Sequence, residues 1–164
     1  MPKYEESTTL KNLGESLIEK HHPNHKHVKI CYEFRDEASI SNGKVIAGRC
    51  VRVDDRNFII HGYDVIIEIA KDVWTEATDN FKTAIMDHEL SHIGIRFEDD
   101  GEPERDSKND RVKVYLRHHD IEEFADVLER YGDYHVALRE FLKAFERNKK
   151  RQEQEDEGDP DLQV

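Results

Sequence analysis

The sequence predicts an α+β domain, with helices and strands segregated along the chain instead of alternating. Three observations carry this. Apolar residues fall at helical spacing near the N-terminus, alternate through the next stretch, and return to helical spacing from Thr75 onward. The first run, "TTLKNLGESLIEK" (8–20), sets Leu10, Leu13, Leu17 and Ile18 on one helix face, and Pro23 stops it. The "HHPNHKH" that follows reads as an exposed polar turn. Its histidines have no acidic or cysteine companions and a turn gives no fixed geometry, so any metal held there is incidental.

"HVKICYEFRDE" (27–37) alternates as a strand, with Val28, Ile30, Tyr32 and Phe34 on one side. Asn42-Gly43 is a turn signal, and a second strand is expected from Lys44 to Val53. Asp54-Asp55-Arg56-Asn57 reads as another turn, and residues 58–74 are β-rich, with "YDVIIEIA" the strongest strand in the chain. The expectation is a small antiparallel sheet of three to four strands. If "YDVIIEIA" forms its edge, an extended peptide could pair with it as an added strand.

From Thr75, a reasonable N-cap, the residues Phe81, Ala84, Ile85, His88, His92 and Ile95 recur at three- and four-residue steps, which predicts a helix over 75–95. "RFEDDGEPERDSKNDR" reads as a surface loop and "VKVYL" (112–116) as a short strand. Two C-terminal helices follow. The first is capped by Asp120, with Glu123 completing a capping box and Gly132 after its end; the second carries Val136, Leu138, Phe141, Leu142 and Phe145.

Composition bounds the function classes. The chain of 164 residues is 36% apolar and 38% charged, which is polar for a globular protein. One domain is expected over 1–147, with 148–164 a disordered charged tail. A net charge of −12 argues against intrinsic nucleic-acid binding, which needs surplus Lys and Arg. Cys31 and Cys50 lie in strand-like runs, form no Cys-x-x-Cys pair, and read as buried free thiols. No signal-peptide pattern opens the chain and no apolar run reaches membrane length, so a soluble cytoplasmic protein is expected.

The chemistry concentrates in "MDHELSH" (86–92). His88 and His92 are four apart, so their rings leave one helix face a turn apart and can share a zinc ion. Glu89, next to the first histidine, can reach a metal-activated water without binding the metal, and can serve as general base in peptide hydrolysis. A chain this rich in His and Glu can produce His-Glu-x-x-His by chance. The pattern's place on the buried stripe of a helix, just after a strand run, favours the metal reading over two core histidines. A catalytic zinc needs a third protein ligand and an open position. Ile95 and Glu98 stand where the metzincin extension would put glycine and histidine, so that pattern is absent. Downstream, His118, His119, Asp120 and Glu122 are the candidates. His119 is preferred because nitrogen suits zinc, with His118 or Asp120 as orienting partners.

A strand ending near Trp74, "DHELSHI" (87–93), the acidic glycine loop "EDDGEPERD" (98–106) and "HDIEEFADVLERYG" (119–132) together resemble the metallopeptidases encoded by bacteriophages, small relatives of the SprT-like zincins. The resemblance spans roughly residues 28 to 145. It implies a zincin-like fold, Zn2+, a protein or peptide substrate, and the host cytoplasm as setting. It carries the ligand role to His88 and His92, the general-base role to Glu89, and maps the histidine of "HDIEEF" onto His119. Ser91 stands where members are expected to show cysteine; that position does not bind metal. Tyr131 reads as a packing residue, or as an oxyanion-stabilising phenol.

Two other functions compete with a zinc peptidase. One is a non-catalytic zinc-binding interaction protein on the same scaffold, its fourth position closed by Asp120 or Glu122. The other is action on DNA-bound proteins, by analogy with the SprT-like enzymes. An intact Glu89 separates catalysis from the first alternative, because a scaffold has no need of it.

Overall fold

The computed structural model describes residues 1–157. They form two compact units, Met1–Arg117 and the residues from His118 onward. The first unit opens with β1 (Tyr4–Glu6) and α1 (Thr8–His21), then a 3-10 turn at Pro23–His27 and β2 (Ile30–Arg35). A hairpin of β3 (Ser39–Ser41) and β4 (Lys44–Ile46) leads into β5 (Gly48–Arg52), α2 (Asp55–His61) and β6 (Val65–Ala70). α3 (Lys71–Glu76), α4 (Asp79–Ser91), β7 (Ile93–Ile95) and β8 (Val114–Leu116) complete it.

The main sheet has the order β1-β2-β6-β5. It is mixed where an antiparallel one was expected: β1 and β5 run antiparallel to their neighbours, but β2 and β6 are parallel, Ile30 opposite Val65 through Arg35 opposite Ala70. The hairpin, β5 and α2 supply the long crossover that a parallel pair requires. The strand expected over Lys44 to Val53 is divided at Ala47 into a hairpin arm and an edge strand. The hairpin turn is as expected, with Asn42 and Gly43 both left-handed at φ 50° and 74°. "YDVIIEIA" forms β6, but β6 lies inside the sheet and β5 is the edge.

One sheet face is covered by α1 and α4. Leu10 and Leu17 of α1 and Met86 and Leu90 of α4 meet Val65, Ile67 and Ile69 of β6 in a single buried cluster. Each such side chain contributes about 1.5–3 kcal/mol by leaving water.

Residues 54–61 correct the expected turn and β-rich run. The Asp54 carboxylate accepts from the Asn57 N–H at 2.9 Å, and Gly62 closes the segment at φ 78°, so Phe58, Ile59 and Ile60 are helical in α2. Caps at both ends override the β preference of the isoleucines, whose side chains stay exposed. The helix expected over 75–95 is likewise two helices. Extended backbone at Ala77 ends α3, Thr78 caps α4 through the Phe81 N–H at 3.2 Å, and Ile93 and Ile95 leave to pair with β8.

The expected surface loop after β7 is anchored from within. The Arg111 side chain is 2% exposed. Its Nε donates to Asp64 Oδ1 at 3.1 Å, Nη1 to Asp55 Oδ1 at 2.9 Å, and Nη2 to the carbonyls of Val53 and Asp64 at 2.5 and 2.9 Å. Its guanidinium carbon lies 4.8 Å from the Phe58 ring centroid.

The second unit contains α5 (Ala125–Tyr131) and α6 (Val136–Glu157). Asp120 and Glu123 do not form the expected capping box: α5 begins four residues later than expected, after Phe124, without a side-chain cap. The Glu123 carboxylate instead accepts from the Tyr134 hydroxyl and from the Phe124 N–H. Residues 148–157, expected in a disordered tail, continue α6, where Lys, Arg, Gln and Glu are strong helix formers; the rest of that stretch, 158–164, lies outside the described residues. No helix among the described residues is long and apolar enough to cross a membrane.

Candidate metal centre

α4 presents His88 and His92 as the four-residue spacing requires, with ring centroids 5.0 Å apart and planes at 79°. His92 caps the C-terminus of the helix. Its Nδ1 lies 2.7 Å from the Arg117 carbonyl oxygen, which can only accept. The proton is therefore on Nδ1, and Nε2 keeps the lone pair that a metal needs.

His119 follows β8 in an irregular segment. The ligand atoms offered by His88, His92 and His119 all lie within 4.8 Å of one another, a group that could hold a metal ion. Glu122, the other sequence candidate, is not part of that group. Three imidazoles as a donor set suit a divalent transition metal.

Glu89, one residue beyond His88, is 4% exposed. Burial pushes its carboxyl up to about 7, opposed by the charge of His92; a cation beside it would draw the value down again. Its carboxylate rests against β5, where a Cβ on Gly48 would stand 2.7 Å from Glu89 Oε1 and 3.0 Å from its Cγ. The next residue on that face, Cys50, has its thiol pushed up to about 12, first by burial and then by Glu89.

Gly48 is thus a position where only a missing side chain leaves room for the carboxylate. Gly48→Ala is expected to keep the fold and the metal but displace Glu89, lowering any hydrolytic rate by about 10–100-fold, since misplacement near 1 Å costs that much. Steady-state rates beside metal content check this; an unchanged rate would mean that Glu89 is not held by β5.

β5 also has a free backbone. Ala47 O accepts from Ala70 N at 2.8 Å and Val53 N donates to Asp64 O at 2.9 Å. Antiparallel alternation therefore turns the backbone groups of Gly48 and Cys50 away from β6. Sequence reasoning placed this edge on the wrong strand. A glycine inside a strand pattern, the mark of a close approach, was the signal that could have found it.

The histidine-rich turn is also not the exposed segment expected. His25 is 9% exposed, with Nε2 2.9 Å from the Leu90 carbonyl, and His22 Nε2 lies 2.5 Å from Asp87 Oδ1. Nothing in the sequence marks these two histidines off from His21 and His27.

A family model described as "Putative phage metallopeptidase" matches residues 2–146. No curated protein matches the chain, and no solved structure does.

Proposed function

The chain belongs to the phage metallopeptidase family, and we propose that it hydrolyses peptide bonds at a zinc centre held by His88, His92 and His119 on a zincin-like fold. The observation that carries this reading is the three-histidine group with a buried carboxylate beside it in the chain: the ligand atoms lie within 4.8 Å of one another, and Glu89 is 4% exposed. When bound, zinc supplies Lewis acidity, acidifying water and polarising a carbonyl.

The remaining steps belong to the protein. Glu89 takes a proton from the attacking water at its carboxylate and delivers it to the departing amine. Burial holds this carboxyl up to about 7 in the metal-free protein, and a cation at the histidines lowers it, which leaves it charged and able to accept a proton near neutral pH. The Arg117 carbonyl keeps His92 in one tautomer. The outward backbone of Gly48 and Cys50 offers hydrogen bonds to an extended peptide added beside β5, next to Glu89. The setting we propose is the host cytoplasm. A non-catalytic scaffold has less support, because a buried carboxylate without a task is a stability cost.

The test is cleavage of a denatured protein at neutral pH, followed by the new amino termini. Cleavage is expected with zinc-loaded protein, is lost to a chelator and returns with zinc. His119→Ala lowers it at least about 100-fold, and Glu122→Ala leaves it within about twofold. Cleavage that survives the chelator, or that needs Glu122 and not His119, would contradict the assignment.

A further inference from the structure

The 3-10 turn after α1 touches α4 at two points that flank the motif. His22 Nε2 is 2.5 Å from Asp87 Oδ1 and His25 Nε2 is 2.9 Å from Leu90 O. Both partners only accept, so both histidines carry their proton on Nε2 and donate it. The two rings stack with centroids 4.9 Å apart and planes at 28°. His22 is 15% exposed at its side chain and His25 is buried, so neither ring is free to swing away. Leu90 O belongs to the last turn of α4, where it also accepts from the N–H of the C-cap residue His92.

Asp87 and Leu90 are three residues apart and share one side of α4. His88 follows Asp87 by one step of the helix, about 100° around its axis. Two pins on one side therefore fix the rotation at which His88 and His92 are presented. The lever is large: side chains reach about 5–6 Å from the axis, so a 10° turn carries a ring about 1 Å. Metal–ligand distances tolerate only about 0.2 Å.

We infer that His22 and His25 are positioning residues of the metal centre, a clamp that sets the rotation of α4 through Asp87 and Leu90 and so sets the affinity for the ion. The inference rests on the metal reading above. It gives a task to histidines that metal-binding propensity alone would count as an incidental tract, and it does so without their touching the ion.

The experiment is zinc affinity, measured by competition with a chromophoric chelator, for the full chain and for His22→Ala, His22→Gln, His25→Ala and His25→Gln, each checked for folding by circular dichroism. Glutamine places an N–H donor where Nε2 stands, but has no imidazole. Each alanine variant is expected to bind zinc at least about tenfold more weakly, and each glutamine variant to return to within about threefold of the parent. Should His25→Ala fail to fold, the His22 pair, at the partly exposed end of the clamp, decides alone. Folded alanine variants that bind zinc like the parent, or glutamine variants no better than alanine, would overturn the clamp while leaving the metal centre standing. A parent whose zinc does not depend on His88 and His92 would overturn the metal reading itself.

Discussion

Glu89→Gln is expected to lower any peptide hydrolysis steeply and to leave metal binding unchanged. The amide is nearly isosteric and can still lie against Gly48, but it cannot take a proton from water. General acid–base catalysis is worth about 10²–10⁴-fold, and a loss of that size is expected in the rate of peptide cleavage. Zinc content is unchanged, because Glu89 is not among the three grouped ligands. The metal-free proteins give a second readout. Burial raises the folded carboxyl from its ordinary value of 4.5 to about 7. A folded carboxyl above its unfolded value is favoured while protonated, so the metal-free parent loses stability as pH rises from 4.5 toward 7. The glutamine variant does not show that fall. Thermal unfolding of both proteins across this range checks the sign, and a variant that loses stability in parallel with the parent would show that Glu89 is not the buried group responsible.

Arg111→Ala has the largest expected effect on stability. The guanidinium joins the ends of β5 and β6 through the carbonyls of Val53 and Asp64, and pairs with an Asp64 carboxylate whose side chain is 3% exposed. Among the described residues, removing it leaves that carboxylate with the Lys29 backbone N–H as its remaining donor contact. Breaking a buried pair by deleting one partner costs about 3–5 kcal/mol, read as a lowered midpoint in urea unfolding with an unchanged slope. Arg111→Lys is expected to recover only part of the loss, since an ammonium cannot reproduce the planar fork. A loss below about 1 kcal/mol would mean that Asp64 finds other partners.

What could be read in advance follows the range of the forces involved. The helix carrying His88 and Glu89, the Asn42-Gly43 turn and the strand within "YDVIIEIA" are written in local periodicity and turn chemistry. α2 was misread because Phe58, Ile59 and Ile60 look like a strand, and only the Asp54 and Gly62 caps reveal a helix. The parallel pairing of β2 with β6 is a fact about chain routing, which alternation does not encode. His88 and His92 are legible as candidate ligands from their four-residue spacing on one helix, whereas the third ligand, for which His119 is proposed, has no local pattern to mark it. The glycine beside Glu89, the carbonyl on His92 and the two clamping histidines are long-range contacts, up to 65 residues apart for His22 and Asp87, and no local pattern announces them.

The proposed function stands or falls with a metal centre on α4. Metal content by mass spectrometry on tag-free protein, beside His88→Ala/His92→Ala, tests it most directly, with the double variant separating the site from incidental binding elsewhere. About one zinc per chain is expected in the parent and none in the variant. Equal metal in both proteins, or none in either after zinc is offered, would contradict it and leave two histidines on a helix.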